Sequence, residues 1–167
     1  FDLELDKTNM LNTRPTQGTF GIHAAQVIAP GDPVRSVLLY RMAKLGSGRM
    51  PRIGSAEVDL AGVKLLRDWL GQLPQDKDSQ STADESVARL RKAETSALTR
   101  LHVTASAIEQ VAIVDHLLSS TTGAIRLLHA VDAQKLSKPV MAKSVAAAVQ
   151  HSDISIRDLF ERFLPPE

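Results

Sequence analysis

From residue 33 onward, most of the chain repeats apolar positions at the three- and four-residue spacing of amphipathic helices. The first stripe follows Asp32-Pro33, an N-cap residue and a proline that fits the first helical position, and consists of Val34, Leu38, Met42 and Leu45. It predicts a helix over about 33–45, which Gly46-Ser47-Gly48 ends. Arg49-Met50-Pro51 is then expected to be extended, because a residue before proline avoids the helical region.

A second stripe predicts a helix that starts at Asp59 as N-cap, runs to about Leu73 and is closed by Pro74. Its core-facing positions are Val63, Leu66, Leu70 and Leu73, with Leu65 and Trp69 beside them. By contrast, residues 1–30 combine short apolar–polar alternations with Asn, Thr, Pro and Gly. That pattern predicts a loop region with two short extended pieces, in which Phe20 is the residue most expected to be buried.

Residues 75–82 are polar and almost free of apolar side chains, as linkers are. They predict a boundary between a first domain over 1–74 and a second over 83–167. At the start of the second domain, Thr82-x-x-Glu85 has the capping-box pattern. A helical stripe follows at Val87, Leu90, Leu98 and Leu101, and Glu94 interrupts it.

Four further helices are predicted, over about 106–118, 122–133, 139–150 and 153–164. Pro139 suits a first turn, and Asp153 is expected to cap the last helix, whose inner face consists of Ile156, Leu159, Phe160 and Phe163. Short antiparallel helices joined by short loops are typical of HEAT-like solenoids, although no repeat of fixed period is found. The expected fold class is mainly α, with an irregular N-terminal region and a small antiparallel, HEAT-like bundle.

The overall charge is close to neutral, with 20 Lys and Arg against 19 Asp and Glu. A net charge of +1 gives no basis for a nucleic-acid partner, and no apolar run approaches the length of a membrane span. Because the chain has no cysteine, it cannot itself form disulfides, zinc–thiolate sites or thiol nucleophiles. Since the sequence begins with Phe1, we expect it to be a segment of a longer protein.

Patterns that indicate catalysis or metal binding are weak. The five histidines, at positions 23, 102, 116, 129 and 151, lack the spacing of metal ligands, and no nucleophile elbow or phosphate-binding loop is present. Two pairs of carboxylates could be considered as catalytic, Asp115 with Asp132 and Asp158 with Glu161. Exposed acidic residues on helices are the better explanation of both pairs. A stand-alone hydrolase therefore has no support, and whether a parent protein is an enzyme stays open.

Met50 stands out by its sequence context. Methionine most often fills gaps in a core, but Met50 lies in a loop between two predicted helices, with Gly48 and Pro51 on either side. A thioether is also a soft, neutral ligand that suits haem iron and raises its reduction potential. From context alone, Met50 is either a core residue or a metal ligand.

Three runs of the sequence resemble the planctomycete-type c-type cytochrome domain: Pro30-Gly-Asp-Pro-x-x-Ser-x-Leu-x-Tyr-Arg-Met42, Gly48-Arg-Met-Pro-x-Ile-Gly-Ser55 and Val58-Asp-x-x-Gly-x-x-Leu-x-Arg-Asp-Trp-Leu70. Two shorter runs, over 16–22 and 157–165, are also similar to that family's large multidomain proteins. Those proteins combine a sugar-dehydrogenase-like propeller, this region, a helical spacer and a further haem-binding domain. The matches cover most of residues 1–74 and the last dozen residues.

The resemblance implies that residues 1–74 are the distal part of a cytochrome c-like domain, and that 83–167 are a helical spacer. In the family, haem is attached through Cys-x-x-Cys-His, and the methionine of the Arg-Met-Pro loop is the second axial ligand. Carried over, Met50 is the iron ligand. The other residues implied at the haem are Gly48 and Pro51, which shape the loop, Arg49 and Arg52, which face the propionates, and Trp69 with Leu66 on the closing helix.

This chain departs from the family pattern because it has no cysteine and so cannot attach haem c by itself. The resemblance implies that the attachment segment lies shortly before Phe1. Position 52 is Arg here, whereas the family often has His or Pro. The expected function is electron transfer outside the cytoplasm, periplasmic or otherwise, with the attachment segment and neighbouring dehydrogenase and cytochrome domains as partners. The alternative is a non-catalytic helical interaction or spacer module with Met50 in its core.

Overall fold

The computed structural model describes residues 4–53, 57–75, 82–103 and 106–164, without the side chains of 82–84. These residues form seven α-helices and no β-strand, which confirms the predicted mainly α fold class. The chain separates into two compact units, residues 1–81 and 82–167, called here the first and the second unit. Most of the predicted linker, residues 76–81, lies outside the described residues.

The first unit contains two α-helices, α1 (Val37–Ala43) and α2 (Leu60–Gln72), and two 3-10 helices, Leu5–Thr8 and Pro33–Arg35. α1 packs against α2, and both contact the second 3-10 helix. Between the two 3-10 helices the chain is irregular, with isolated bridges in place of strands. Within the part of this unit that the structure describes, the buried apolar residues are Ile22, Ala25, Ile28, Ala29, Val34, Val37, Leu39, Tyr40, Ala43, Val63 and Leu70.

The continuous helix predicted over 33–45 is wrong at its start. The 3-10 helix is followed by an extended Ser36, and only then does α1 begin. Backbone pairing with the preceding loop causes the break: the Gln26 amide donates to the Arg35 carbonyl at 3.0 Å, and the Val37 amide donates to the Gln26 carbonyl at 2.8 Å. Since these bonds require an extended residue at 36, tertiary pairing overrides the helical pattern there.

The break also changes which face of α1 is buried. Leu39, Tyr40 and Ala43 are buried, whereas the predicted core positions Leu38, Met42 and Leu45 are half-buried.

Two neighbouring predictions also need correction. The Asp32 side chain makes no capping hydrogen bond, although Pro33 does take a first position, that of the 3-10 helix. Phe20 is half-buried, whereas its neighbour Ile22, with 3% of its surface exposed, is buried.

α2 matches its prediction closely. The Asp59 Oδ1 atom accepts a hydrogen bond from the Gly62 amide at 2.9 Å, so Asp59 is the N-cap. Val63 and Leu70 are buried as predicted, whereas Leu65, which was predicted to lie beside this stripe, is 73% exposed.

The second unit consists of α3 (Thr82–Val103), α4 (Ala107–Leu118), α5 (Thr121–Asp132), α6 (Lys138–Val149) and α7 (Ile154–Phe160). A 3-10 helix, Glu161–Phe163, follows α7. α4, α5, α6 and α7 lie within a few residues of their predicted bounds. They pack mainly against neighbours and next neighbours along the chain, as helices of a two-layer solenoid do. α5 is central, because it contacts α3, α4, α6 and α7 and has nine of its twelve residues buried.

The ends of the helices show which local signals were reliable. The Asp153 Oδ1 atom accepts from the Ser155 amide at 2.8 Å, and Pro139 lies in the first turn of α6, both as predicted. Phe163 was predicted on the inner face but is 38% exposed, in the 3-10 helix that follows α7, although its ring centroid is 6.2 Å from that of the buried Phe160. The Thr82 half of the predicted capping box lies outside the described side chains.

Glu94, which interrupts the apolar stripe of α3, is buried with 2% of its surface exposed. Its Oε1 atom accepts hydrogen bonds from the Ser120 and Thr122 hydroxyls at 2.8 and 2.5 Å, and its Oε2 atom accepts from Arg126 Nε at 2.8 Å. Since Ser120 is the N-cap of α5, this network joins the middle of α3 to the first turns of the central helix.

Candidate functional site

The Met50 loop, residues 46–53, begins a few residues after the end of α1. Met50 has 37% of its surface exposed, so it is not a core residue in the described structure. Its peptide bond to Pro51 is cis, and Pro51, Arg52 and Ile53 are exposed after it. The loop therefore presents a thioether at the surface of the first unit.

The last turn of α1 and the residue after it hold this loop by three hydrogen bonds. Arg41 Nε donates to the Gly48 carbonyl at 2.7 Å, and the Met50 amide donates to the Arg41 carbonyl at 2.8 Å. Lys44 Nζ donates to the Ser47 carbonyl at 2.6 Å. The backbone that leads to Met50 is thus fixed relative to α1 at residues 47, 48 and 50.

A pair of aromatic rings lies beneath the same loop. The Phe20 and Tyr40 ring centroids are 4.9 Å apart, and Lys44 Nζ is 5.6 Å from each centroid, a cation–π distance. Gly48 has a φ of +80°, and a Cβ placed there would lie 3.3 Å from the Phe20 ring. Both the positive φ and the close ring favour glycine at this position.

Arg49 is half-buried, and its Nη2 atom donates to the Glu57 carbonyl at 3.3 Å. Its Nε atom is buried and has no hydrogen-bond partner among the described residues. Buried polar atoms nearly always have a partner. Arg49 therefore has unused donor capacity beside Met50, as a residue that receives an anionic group would.

Trp69 lies on α2, and the structure does not join it to the loop. It is 38% exposed, and within the described ranges it has neither a ring contact nor a hydrogen bond. Leu66 on the same helix is half-buried. Of the residues that the resemblance placed at one site, Arg49 to Arg52 and Gly48 lie together, whereas the contribution of Trp69 stays a prediction.

The sequence around the loop is strongly basic. Residues 33–56 contain five cationic side chains and no acidic one: Arg35, Arg41, Lys44, Arg49 and Arg52. Three of these arginines donate to backbone carbonyls, with Arg35 Nε 3.1 Å from the Ala24 carbonyl. Because a carbonyl carries no net charge, these hydrogen bonds leave the positive charges in place.

The carboxylate pairs considered from the sequence do not form a site. Asp132 forms an ion pair with Arg162, and Asp115 is exposed on α4. In the other pair Glu161 is exposed, whereas Asp158 is buried with 7% of its surface exposed, so the expectation of an exposed acidic residue is wrong for Asp158. Among the described residues, no group of three or more His, Asp or Glu could hold a metal ion. Hydrogen bonds from Lys64 and then Arg67 lower the pKa of Asp68, an exposed structural effect on α2.

The second unit has a small apolar cleft between α4 and α6. It measures about 40 Å³, and its lining residues include Val111, Val114, Asp115, Val140 and Lys143. That is far below the few hundred Å³ typical of ligand pockets. No described helix is long and apolar enough to cross a membrane.

Comparison with known proteins gives no match to any protein-family description, curated protein or solved structure. The site is therefore interpreted from its own geometry. Its least expected members are Arg41 and Lys44, which the sequence patterns placed only in a helix and its end. The long basic run without an acidic residue was the available signal for them.

Proposed function

We propose that the first unit supplies the methionine ligand of a c-type cytochrome domain, and that the parent protein transfers electrons outside the cytoplasm. The observation that carries this proposal is the exposed Met50 thioether on a loop whose backbone is hydrogen-bonded to Arg41 and Lys44. A core methionine would be buried, whereas a ligand has to reach the surface on a fixed backbone. The resemblance to cytochrome domains and the soft chemistry of the thioether support the same assignment.

The residues of the loop fit a haem group. Met50 would bind the iron, and Arg49 and Arg52 would receive the propionates. The buried Arg49 Nε without a partner supports this, because a propionate oxygen is the kind of acceptor that it lacks. When bound, haem supplies one-electron redox chemistry. The chain's own contribution is to orient the thioether and to place positive charge beside it.

The cysteines and the histidine of the attachment motif have to come from outside this chain, which has no cysteine. The partners that we propose are accordingly an upstream attachment segment and neighbouring dehydrogenase or cytochrome domains of the same protein. For the second unit we propose the role of a helical spacer, which its solenoid-like packing supports.

The direct test adds a haem c peptide, which carries Cys-x-x-Cys-His and leaves one axial position free, to the full chain. We expect the absorption spectrum of a His/Met low-spin haem with wild-type protein and its loss with Met50→Ala. Met141→Ala, which removes a half-buried methionine of α6, is the matched control and should bind like wild type. Equal binding by Met50→Ala and wild type contradicts the proposal.

A second test uses the chain joined to its natural upstream sequence in a host that attaches haem c. Replacing Met50 with His should lower the reduction potential, because a thioether ligand raises it. Reading the upstream sequence is a cheaper check. If it lacks Cys-x-x-Cys-His within a few tens of residues, the spacer alternative is favoured for the whole chain.

A further inference from the structure

We infer that Arg41 is the positioning residue for the Met50 thioether, because it binds both peptide groups that flank Arg49. The inference rests on the proposed function of Met50, since it concerns how the ligand is held. If Arg41 holds the loop in this way, replacing it should speed hydrogen exchange of the Met50 amide, which is measurable without haem.

Arg41 contacts the loop through both its side chain and its backbone carbonyl. Its side chain binds the Gly48 carbonyl at 2.7 Å, which belongs to the peptide group before Arg49. Its own carbonyl binds the Met50 amide at 2.8 Å, which belongs to the peptide group after Arg49. Fixing two successive peptide planes determines where the Met50 Cα atom lies relative to α1, and so limits the region that its side chain can reach.

The chemistry of arginine suits this role. The guanidinium is a charged donor, and a hydrogen bond from a charged donor is stronger than one between neutral groups. Arg41 is half-buried, so water competes less for the Gly48 carbonyl than at an exposed site. Lys44 assists through the Ser47 carbonyl, which is farther from Met50 along the chain.

Arg35 provides a matched control within the same unit. It is also half-buried, and its Nε atom also donates to a backbone carbonyl, that of Ala24, at 3.1 Å. Replacing Arg35 with Met removes a comparable hydrogen bond while the Met50 loop keeps its own. A general loss of stability in the first unit would appear in both variants, whereas a positioning effect would appear only in Arg41→Met.

The first experiment measures hydrogen exchange of the Met50 amide in the full chain without haem. We expect Arg41→Met to accelerate this exchange at least about tenfold, since it removes a charge-assisted hydrogen bond from the same segment. Arg35→Met should leave the Met50 amide as in wild type. Unchanged Met50 exchange in Arg41→Met overturns the inference, whatever the haem experiments show.

Arg41→Met is uninformative in one case, in which it unfolds the first unit and protection against hydrogen exchange is lost throughout α1 and α2. The variant Arg41→Lys then tests the inference. It keeps the charge and the aliphatic stem but lacks the fixed planar donor. We expect Met50 exchange to be roughly threefold faster than in wild type with the fold intact. Wild-type exchange in Arg41→Lys would then overturn the inference.

The second experiment repeats the titration with the haem c peptide. We expect Arg41→Met to weaken formation of the His/Met haem about tenfold, and Arg35→Met to bind like wild type. If Met50→Ala abolishes the complex but Arg41→Met binds like wild type, the positioning inference is wrong and the proposed function stands. If Met50→Ala has no effect, the proposed function is wrong, and the exchange experiment alone decides whether Arg41 holds the loop.

Discussion

The two units have nearly equal length, but the polar groups of their backbones find hydrogen-bond partners in different ways. In the second unit, five helices satisfy most of their own polar groups, and the described residues include eighteen buried apolar side chains against eleven in the first unit. In the first unit, side chains such as Arg35, Arg41 and Lys44 supply donors to irregular backbone. The second unit is therefore held mainly by apolar packing, and the first depends more on a few specific polar contacts.

This difference helps to locate the candidate site. Both units expose large apolar side chains: Met50, Leu65 and Trp69 in the first, and Ile108 and Val111 in the second. Exposure alone therefore does not mark a ligand. What distinguishes Met50 is the combination of an exposed thioether with a backbone that neighbouring cations hold in place.

The largest effect that we predict is separate unfolding of the two units. With fewer buried apolar side chains, each worth about 1.5–3 kcal/mol when large, the first unit should unfold at a urea concentration lower by roughly 1–3 M. Residue-resolved hydrogen exchange across a urea series measures both midpoints. A single transition shared by α2 and α5 would contradict the comparison.

The next effect tests whether the second unit also depends on a polar contact. Glu94→Ala leaves the half-buried Arg126 without its carboxylate, and breaking a buried ion pair costs up to about 3–5 kcal/mol. The urea midpoint of the second unit should fall, and that of the first should stay unchanged.

An exposed ion pair of the same unit is the control. Arg100 and Glu109 are in contact at 2.6 Å, with side chains that are 61% and 44% exposed. Arg100→Ala should therefore change the unfolding free energy by less than about 1 kcal/mol. Equal effects of the two substitutions would show that burial of Glu94 does not matter.

Helices of the second unit were predictable because each has its own start signal and apolar stripe. Asp153 and Pro139 both occupy the positions that their side chains favour. The buried role of Glu94 could not be predicted, because its partners Ser120 and Arg126 belong to another helix and no local pattern relates them.

The first unit was less predictable, for a physical reason. The break before α1 comes from pairing of Gln26 with residues 35–37, which is a long-range backbone contact. The apolar stripe that includes Leu38 and Met42 predicted the wrong buried face of α1, because both residues are only half-buried in the structure. At the candidate site, Met50 was singled out by its context and by the resemblance, and its role as a ligand stays a prediction. Arg41 was not singled out, because its contacts depend on how the loop returns to α1.

A smaller effect compares one substitution in both units. A Cβ at Gly123 would lie 2.2 Å from the Leu117 carbonyl oxygen, so Gly123→Ala must displace the start of α5 and should destabilise the second unit by about 2–3 kcal/mol. At Gly71 on α2, the nearest atom would be 3.8 Å away, in Pro33. Gly71→Ala should stabilise the first unit by about 0.5–1 kcal/mol. Chemical denaturation of both variants measures whether the unfolding free energy of each unit falls or rises.

The smallest effect concerns Asp68, whose pKa is lowered chiefly by a hydrogen bond from Lys64 and secondarily by one from Arg67. A lowered pKa in the folded state means that the carboxylate adds stability above its unfolded pKa, about 3.9, and loses it as pH falls through the folded value. Lys64→Ala should therefore raise the pKa of Asp68 in an NMR titration. Lys7→Ala, which removes the exposed partner of Glu4, should leave it unchanged. Equal pKa values for Asp68 in wild type and Lys64→Ala would show that the contact, formed at 2.7 Å, does not persist in solution.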